Sequence, residues 1–246
     1  MILKLIRRFQ FHFKLIILVV EFTFLSSFCH SQDVKTIDLK AIRQKTVRRY
    51  ITERKIDQMN DFSLIHASWK NETDELDFNF REKVFFLKYK VANVWNFYRH
   101  ANPAEVWNKQ SIRLGLLISK PSNSAFYVNN IAFPDMDTGQ VYFLKLRLAK
   151  GLFNIPVAFE IIKIDYDKQL FEFSYIENNK SKGKQTIQFF DNNKGDTRIV
   201  HQSYFKSESS FRDLLYPHFH KKFIKEFHRN MKHYIRKTDL TVIKDE

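Results

Sequence analysis

The chain contains 246 residues, with 41 lysines and arginines against 27 aspartates and glutamates, and its formal net charge at pH 7 is +14. With five glycines and one cysteine it has neither a glycine-rich phosphate loop nor a disulfide scaffold, and no G-x-S-x-G or H-E-x-x-H motif occurs. The charge favours anionic partners, such as an anionic membrane or envelope surface, whereas the dispersed basic residues without an RNA-binding or zinc-finger pattern argue against nucleic acid.

Residues 1–31 have the pattern of an export signal. Basic residues precede and flank the start of the apolar stretch 15–28, and small residues stand just before Gln32, where a signal peptidase cleaves. We therefore expect an exported protein that is periplasmic, bound in the cell envelope or secreted. Cleavage after Ser31 would remove the only cysteine, Cys29, so that thiol catalysis is excluded in the mature chain.

Two alternatives remain open for this N-terminal segment. It could stay uncleaved as a membrane anchor, although its apolar stretch falls short of the roughly 20 residues that span a bilayer. It could also carry a lipid on Cys29, although the bulky Phe28 stands where a lipoprotein signal has a small residue.

Residues 32–61 have the pattern of a helical arm. Asp38 is a suitable N-terminal cap, and apolar residues such as Ile42 and Tyr50 recur behind it at helical spacing. The remaining residues, 62–246, lack repeats and low-complexity tracts, and they are long enough for one core. The sequence thus predicts a helical arm followed by a single domain.

This domain opens with strand-like patterns at residues 62–71 and 75–88, separated by a turn-rich segment. A short helix follows, and a second helix begins at Pro103, which suits a first helical turn. The first of these helices places its apolar residues on one face: Val91, Val94, Trp95 and Tyr98.

From Ser111 onward the apolar residues recur with a period of two. Short connections separate the strand-like runs, which indicates antiparallel neighbours. A long amphipathic helix that starts near Pro217 closes the chain. The sequence predicts an α+β fold in which an antiparallel sheet of about seven strands grips this C-terminal helix, with two short helices after the first strand. The runs are 111–119, 124–130, 141–150, 157–165, 169–177, 184–190 and 197–205.

The closing helix contains four histidines, which raises the question of a metal site. On a helical wheel His220 falls within the apolar face, whereas His218, His228 and His233 fall outside it or on its border. No two of them are three or four residues apart, the spacing at which two side chains of one helix share a metal ion. The spacing therefore predicts no metal site. It predicts a helix whose aromatic residues form a stripe that packs against a core.

The pairing of the later strands follows from their aromatic residues. The aromatic side chains collect on one face if Phe159 pairs with Tyr175 and Ile161 with Phe173. A shift by one residue would mix them with polar side chains. The same register pairs Lys163 with Phe171, Ile187 with Phe173 and Ile199 with Ile187. One row of neighbouring residues then reads Phe159, Tyr175, Gln185 and His201, and it places polar groups on the inward face.

Two stretches resemble the START-like or Bet v 1-like superfamily, also called SRPBCC. "KVFFLKYKVANVWNFYRHANPAEVWN" is similar to the opening strand and helices of that superfamily, and "SSFRDLLYPHFHKKFIKEFHRNMKHYI" is similar to its closing helix. The resemblance covers residues 76–237. It implies a sheet that grips the last helix around an apolar cavity, and binding of lipids, sterols or other apolar small molecules. Only some members are enzymes, and no catalytic motif is common to them all.

The leading hypothesis is an exported module that binds an apolar or amphipathic, lipid-like molecule between the sheet and the closing helix. No catalytic residue, metal or cofactor is predicted. The residues expected to line or border the cavity are Trp95, Phe159, Phe173, Tyr175, Gln185, Ile187, His201, Phe219, His220, Phe223 and Phe227.

Two alternatives compete with this hypothesis. An enzyme on the same scaffold would use His201 as its titrating group, because Glu160 and Glu172 are expected on the opposite, solvated face of the sheet. A basic protein that adheres to the cell envelope would instead have a filled interior. Cavity volume separates these possibilities, since a drug-sized ligand needs roughly 300 Å³.

Overall fold

The computed structural model describes residues 37–70, 72–130, 132–193 and 195–242. The predicted export signal, residues 1–31, lies outside the described residues. In the part of the chain that is described, no helix is long and apolar enough to cross a membrane.

An antiparallel sheet of eight strands organises the fold, with the strand order β1-β8-β7-β6-β5-β4-β2-β3. Five of the seven pairs of consecutive strands are neighbours in the sheet, in agreement with the short connections predicted from the sequence. The strands are β1 (Asn79–Leu87), β2 (Ile112–Ser119), β3 (Ser124–Tyr127), β4 (Gln140–Leu148), β5 (Phe153–Asp165), β6 (Leu170–Tyr175), β7 (Ser181–Asp191) and β8 (Thr197–Ser207).

The α-helices lie on both faces of this sheet. We call the face that packs against the C-terminal helix the inner face, and the face that packs against the first helix the outer face. The predicted helix-grip order of a strand, two short helices, a sheet and a long closing helix is confirmed, with eight strands rather than seven. The helices are α1 (Lys45–Glu53), α2 (Val91–His100), α3 (Pro103–Val106) and α4 (Ser210–Val242).

The inner core joins the sheet to α2, α3 and α4. Trp107 stacks on Phe227 with ring centroids 4.1 Å apart, and Trp95 stacks on Phe171 at 5.8 Å. Burial of such aromatic residues supplies much of the stability of a core of this kind. The Phe-rich stripe of α4 therefore holds the helix on the sheet as the wheel predicts.

The outer face carries a second buried cluster, which binds the N-terminal arm to the domain. Val47 and Ile51 of α1 pack there against Leu116 and Ile118 of β2. Gly115 allows α1 to approach β2 closely, because a Cβ atom at that position would lie 2.8 Å from Val47 Cγ1. Strands β2 and β4 are thus buried on both faces, which explains why their apolar residues run continuously.

The arm is broken into short elements where the sequence predicts one helical arm over residues 32–61. Asp38 accepts a hydrogen bond from the Lys40 amide and caps a single 3-10 turn, Leu39–Ala41, before α1 begins. Lys55 takes a left-handed conformation, with φ of 55°, and ends α1. The arm therefore follows the curvature of the outer face.

The strand predicted at residues 62–71 is wrong. A 3-10 turn capped by Asp61 occupies Phe62–Leu64, and only an isolated bridge between Ala67 and Ile176 joins the segment to other residues in a strand-like manner. Phe62 is buried in the outer cluster. The apolar residues of this segment thus cover the outer face instead of extending the sheet.

The start predicted for the closing helix is also wrong. Helix α4 begins at Ser210, and Pro217 lies inside it. Proline lacks the N–H that would bond to the carbonyl one turn earlier, so this position costs one backbone hydrogen bond. The apolar contacts along the rest of α4 offset that loss.

The predicted strand register is correct for its first two pairs only. Phe159 faces Tyr175 and Ile161 faces Phe173, but a β-bulge then brings Lys163 opposite Glu172 instead of Phe171. Beyond β6 the register is displaced by two residues: Gln185 pairs with Phe173, Ile187 with Phe171, and Phe189, rather than Ile187, with Ile199. A displacement by two leaves every side chain on its predicted face, so the alternating pattern cannot detect it.

Candidate functional site

A cavity of about 520 Å³ lies where β5 extends beyond the end of β6. The pairing of β5 with β6 stops at Phe159 and Tyr175, so the first residues of β5 have β4 as a neighbour on one side only. The space on the other side is bounded by α1, by the connection from β6 to β7, and by the first half of α4. Its lining consists of Arg49, Tyr50, Glu53, Arg54, Leu146, Leu148, Asn154, Ile155, Pro156, Val157, Tyr175, Asn179, Lys180, Ser181, Phe219, His220 and Phe223.

The cavity lining combines apolar and polar side chains. Leu148, Val157 and Phe223 belong to its apolar wall, which suits a hydrocarbon or an aromatic ring. Among its polar groups, the Tyr50 hydroxyl donates to Asn179 Oδ1 at 2.7 Å. The lining therefore offers oriented hydrogen-bonding groups as well as apolar surface.

The Tyr50–Asn179 pair is held from two sides. Asn179 Nδ2 donates to the Ala158 carbonyl at 2.8 Å, and the Arg54 guanidinium lies 3.7 Å from the centre of the Tyr50 ring. Burial raises the pKa of Tyr50 to about 12 even though Arg54 acts in the opposite direction. Tyr50 therefore remains a neutral hydrogen-bond donor at neutral pH.

A continuous chain of hydrogen bonds leads from this cavity into the core. His220, which lines the cavity, contacts Gln185 Oε1 through Nε2 at 2.8 Å, and His201 Nε2 contacts the same oxygen at 2.8 Å. His201 Nδ1 lies 2.9 Å from His228 Nε2, and His228 Nδ1 lies 2.8 Å from the Tyr98 hydroxyl. We call these five residues the histidine network.

The amide oxygen of Gln185 determines which way each hydrogen bond points. With the amide oriented as in the structure, Oε1 can only accept, so both His201 and His220 donate from Nε2. Neutral His201 then has an unprotonated Nδ1, which accepts from Nε2 of His228. By the same reasoning Nδ1 of His228 accepts the Tyr98 hydroxyl proton, and all three histidines carry their proton on Nε2.

Burial keeps these histidines neutral. It lowers the pKa of His220 to about 4 and that of His228 to about 3. The pKa of His201 also lies well below its ordinary value, first because of burial and then because His228 and His220 would repel its charge. A second proton on any of these rings would place a charge in the apolar interior, so burial favours the neutral network.

Of the residues predicted from the sequence to line a cavity, Tyr175, Phe219, His220 and Phe223 do so. Gln185 and His201 belong to the histidine network, one step deeper. The others pack in the inner core: Trp95, Phe159, Phe173, Ile187 and Phe227.

His228 and Tyr98 are the network members that the sequence analysis did not propose for the site. The wheel grouped His228 with His218 and His233, outside the apolar face or on its border, and for His228 this prediction is wrong. The sheet and α2 enclose α4 so widely that the buried arc covers about 200°. His218 and His233 are exposed, as the wheel predicts. A wider arc would have included His228, which lies beside Ile224 and Ile235 on the wheel.

The enzyme hypothesis placed its titrating group on His201. That side chain is 2% exposed and does not line the cavity. His201 could act on a ligand in the cavity only by way of Gln185 and His220, which connect it to the cavity through hydrogen bonds. Within the described ranges, no group of three or more residues has an arrangement that could hold a metal ion.

One of the two carboxylates that the sequence predicts on a solvated face is buried. Glu160 lies on the outer face but is 7% exposed, and Lys120 Nζ donates to its Oε1 at 2.6 Å, whereas Glu172 is partly exposed. The same ammonium also donates to the Ile65 carbonyl. Glu160 is thus part of the contact between the sheet and the segment that follows the arm.

No family model and no curated protein matches the sequence. Solved structures that match include norcoclaurine synthase from Thalictrum flavum, with a TM-score of 0.48 and 12% identity over 65% of this chain and 96% of that chain. TTHA0849 from Thermus thermophilus matches with a TM-score of 0.48 and 9% identity over 65% of this chain and 99% of that chain.

Major latex-like protein 151 from Panax ginseng matches with a TM-score of 0.45 and 13% identity over 63% of this chain and 97% of that chain. It and norcoclaurine synthase are helix-grip proteins of the Bet v 1-like type. With TM-scores below 0.5, these likenesses add no argument about a ligand or a reaction. The site has to be interpreted from its own geometry.

Proposed function

We propose that this protein is a binding module for an apolar or amphipathic, lipid-like small molecule. The observation that carries the proposal is the cavity of about 520 Å³, whose lining combines apolar and polar side chains. Its volume exceeds the roughly 300 Å³ that a drug-sized ligand needs, which favours a binding module over a protein with a filled interior.

Polar groups on the cavity wall would orient the ligand. Tyr50 and Asn179 are fixed by their mutual hydrogen bond, and His220 is fixed by Gln185. Groups held in this way lose little conformational freedom when a ligand binds. They can therefore fix the orientation of the ligand at a low entropic cost. The apolar wall, which includes Val157 and Phe223, would supply most of the affinity.

A neutral fluorescent probe, N-phenyl-1-naphthylamine, tests this proposal. We expect saturable binding with one probe for each chain. Val157→Trp places a bulky ring in the cavity and should abolish binding, and Leu76→Trp is the matched control because Leu76 is 91% exposed and far from the lining. Thermal unfolding of both variants checks that they are folded. Absence of saturable binding to the parent chain, or equal binding by Val157→Trp, would refute the proposal.

A second experiment identifies the natural ligand. Native mass spectrometry of the protein purified from its host should show a mass excess that disappears on denaturation. The composition of residues 1–31 supports the further proposal that the chain is exported, so the purification should begin from the cell envelope and the medium.

A further inference from the structure

A second, smaller cavity adjoins the first on the outer face. Its volume is about 270 Å³, and it is lined by Lys45 and Thr46 of α1, Lys145 of β4, and two residues that also line the large cavity, Arg49 and Asn154. The two spaces therefore share a wall. A molecule that reached across Arg49 and Asn154 would occupy both.

The charge in the small cavity is positive and largely uncompensated. Among the described residues, no carboxylate lies within ion-pair distance of Lys45 or Lys145, and the ion pair of Arg49 with Glu53 is on the exposed surface of α1. Partial burial of Lys145 lowers its pKa, and Arg147 and Arg113 lower it further. A bound anion would relieve this repulsion.

The small cavity lies beside the first turn of α1. Lys45 and Thr46 belong to that turn, where the helix dipole favours a negative charge. The Thr46 hydroxyl oxygen is covered by protein and makes no hydrogen bond within the described structure, so the cationic side chains are the groups that can meet a ligand.

We propose that the small cavity binds the carboxylate or phosphate head group of an anionic amphiphile whose hydrocarbon chain occupies the large cavity. This inference rests on the proposed binding function and names the ligand class. Lys145 and Arg49 contact the head group, and charge-assisted bonds of this type are stronger than neutral ones.

Calorimetric titration with three probes separates the parts of this proposal. Dodecanoate carries both a chain and a charge, dodecanol carries the chain alone, and inorganic phosphate carries charge alone. We expect dodecanoate to bind about tenfold more tightly than dodecanol, which corresponds to about one charge-assisted interaction. Phosphate should bind far more weakly than dodecanoate, because each buried methylene strengthens binding by about fourfold.

Variants locate the head group. Lys145→Met should lower the affinity for dodecanoate toward that for dodecanol and leave dodecanol binding unchanged. Lys222→Met is the matched control, since Lys222 is exposed on α4 away from both cavities. Thermal unfolding of each variant confirms folding, and the removal of a half-buried, repelled cation should not lower stability.

Each outcome has one interpretation. If dodecanoate and dodecanol bind equally, or if Lys145→Met binds both as the parent does, the head-group site is wrong while the binding module stands. If phosphate alone binds as tightly as dodecanoate, the link between the two cavities is wrong. If neither dodecanol nor the neutral naphthylamine probe binds, the proposed function itself fails.

Discussion

Nδ1 of His201 lies 2.9 Å from Nε2 of His228, so that a strand of the sheet and the closing helix are joined by two histidine rings within the core. Both rings are buried, and the hydrogen bond between them requires one protonated and one unprotonated nitrogen. A proton added to either ring would place an uncompensated charge in an apolar interior. The contact therefore stabilises the fold only while both residues are neutral.

Stability should fall as the solution becomes acidic. The pKa of His220 is about 4 in the folded chain and near 6.5 when unfolded, so below about pH 6.5 the unfolded chain takes up protons first. The contribution is present above that pH and is lost as the pH falls toward 4, and for His220 alone it amounts to about 3 kcal/mol. The free energy of unfolding, measured with urea between about pH 7.5 and about pH 4, tests this pH dependence.

Replacement of His220 by Gln should reduce this pH dependence, because glutamine does not titrate, while the buried His201 and His228 retain the remainder. Replacement of the exposed His218 or His233 by Gln should leave the dependence as in the parent chain. An identical pH profile for His220→Gln and the parent would contradict the burial of His220 in the folded protein.

The aromatic stripe of α4 should contribute strongly to stability. Phe227 is 3% exposed and stacks on Trp107, so Phe227→Ala is expected to lower the free energy of unfolding by about 3 to 5 kcal/mol through the cavity that it leaves. Lys222→Ala, on the exposed side of the same helix, should change it by less than about 0.5 kcal/mol. Chemical denaturation measures both, and similar values would mean that the helix is rotated from the position described.

Close contact between the arm and the sheet can be tested at Gly115. The added methyl group of Gly115→Ala would lie 2.8 Å from Val47 Cγ1, and overpacking of this kind costs about 1 to 3 kcal/mol. Val47→Ala in the same chain should recover part of the loss, because it removes the atoms that clash. A double-mutant cycle gives the coupling energy, which should be near zero if α1 does not pack on β2.

Lys120 and Glu160 form a buried ion pair that should be costly to break from one side. Lys120→Met leaves the Glu160 carboxylate buried without its partner, and a loss of about 3 to 5 kcal/mol is expected. Lys120→Met together with Glu160→Leu removes both charges and should restore most of that stability. Equal stability of the single and the double variant would show that Glu160 is solvated.

Export is tested at the N-terminus. The protein recovered from the cell envelope or the medium should begin at or near Gln32 and contain no thiol, because cleavage removes Cys29. Edman sequencing and a thiol assay measure these two properties. A chain that retains Met1 would favour the uncleaved anchor.

The helical wheel of α4 shows what a local sequence pattern can predict about burial and what it cannot. It placed His220 inward and His218 and His233 outward, as the structure has them, because those positions depend on helical geometry alone. It grouped His228 with the outward histidines, which is wrong, because the width of the buried arc depends on how far other elements enclose the helix. The contact with Tyr98, 130 residues away in the chain, had no signal in the sequence.

The sequence by itself determined the order of the elements from β1 onward and the face on which most strand residues lie, because both follow from turn residues and from periods of two and of about four residues. The tertiary structure decided the β-bulge that brings Lys163 opposite Glu172, and the register beyond β6, since a displacement by two residues preserves every facing. It also decided the cavity, which exists because β5 continues past the end of β6, and the hydrogen bonds that join Gln185, His201 and His220, which the sequence had placed on the inward side. These features depend on contacts between distant residues, and local periodicity contains no information about the distance between them.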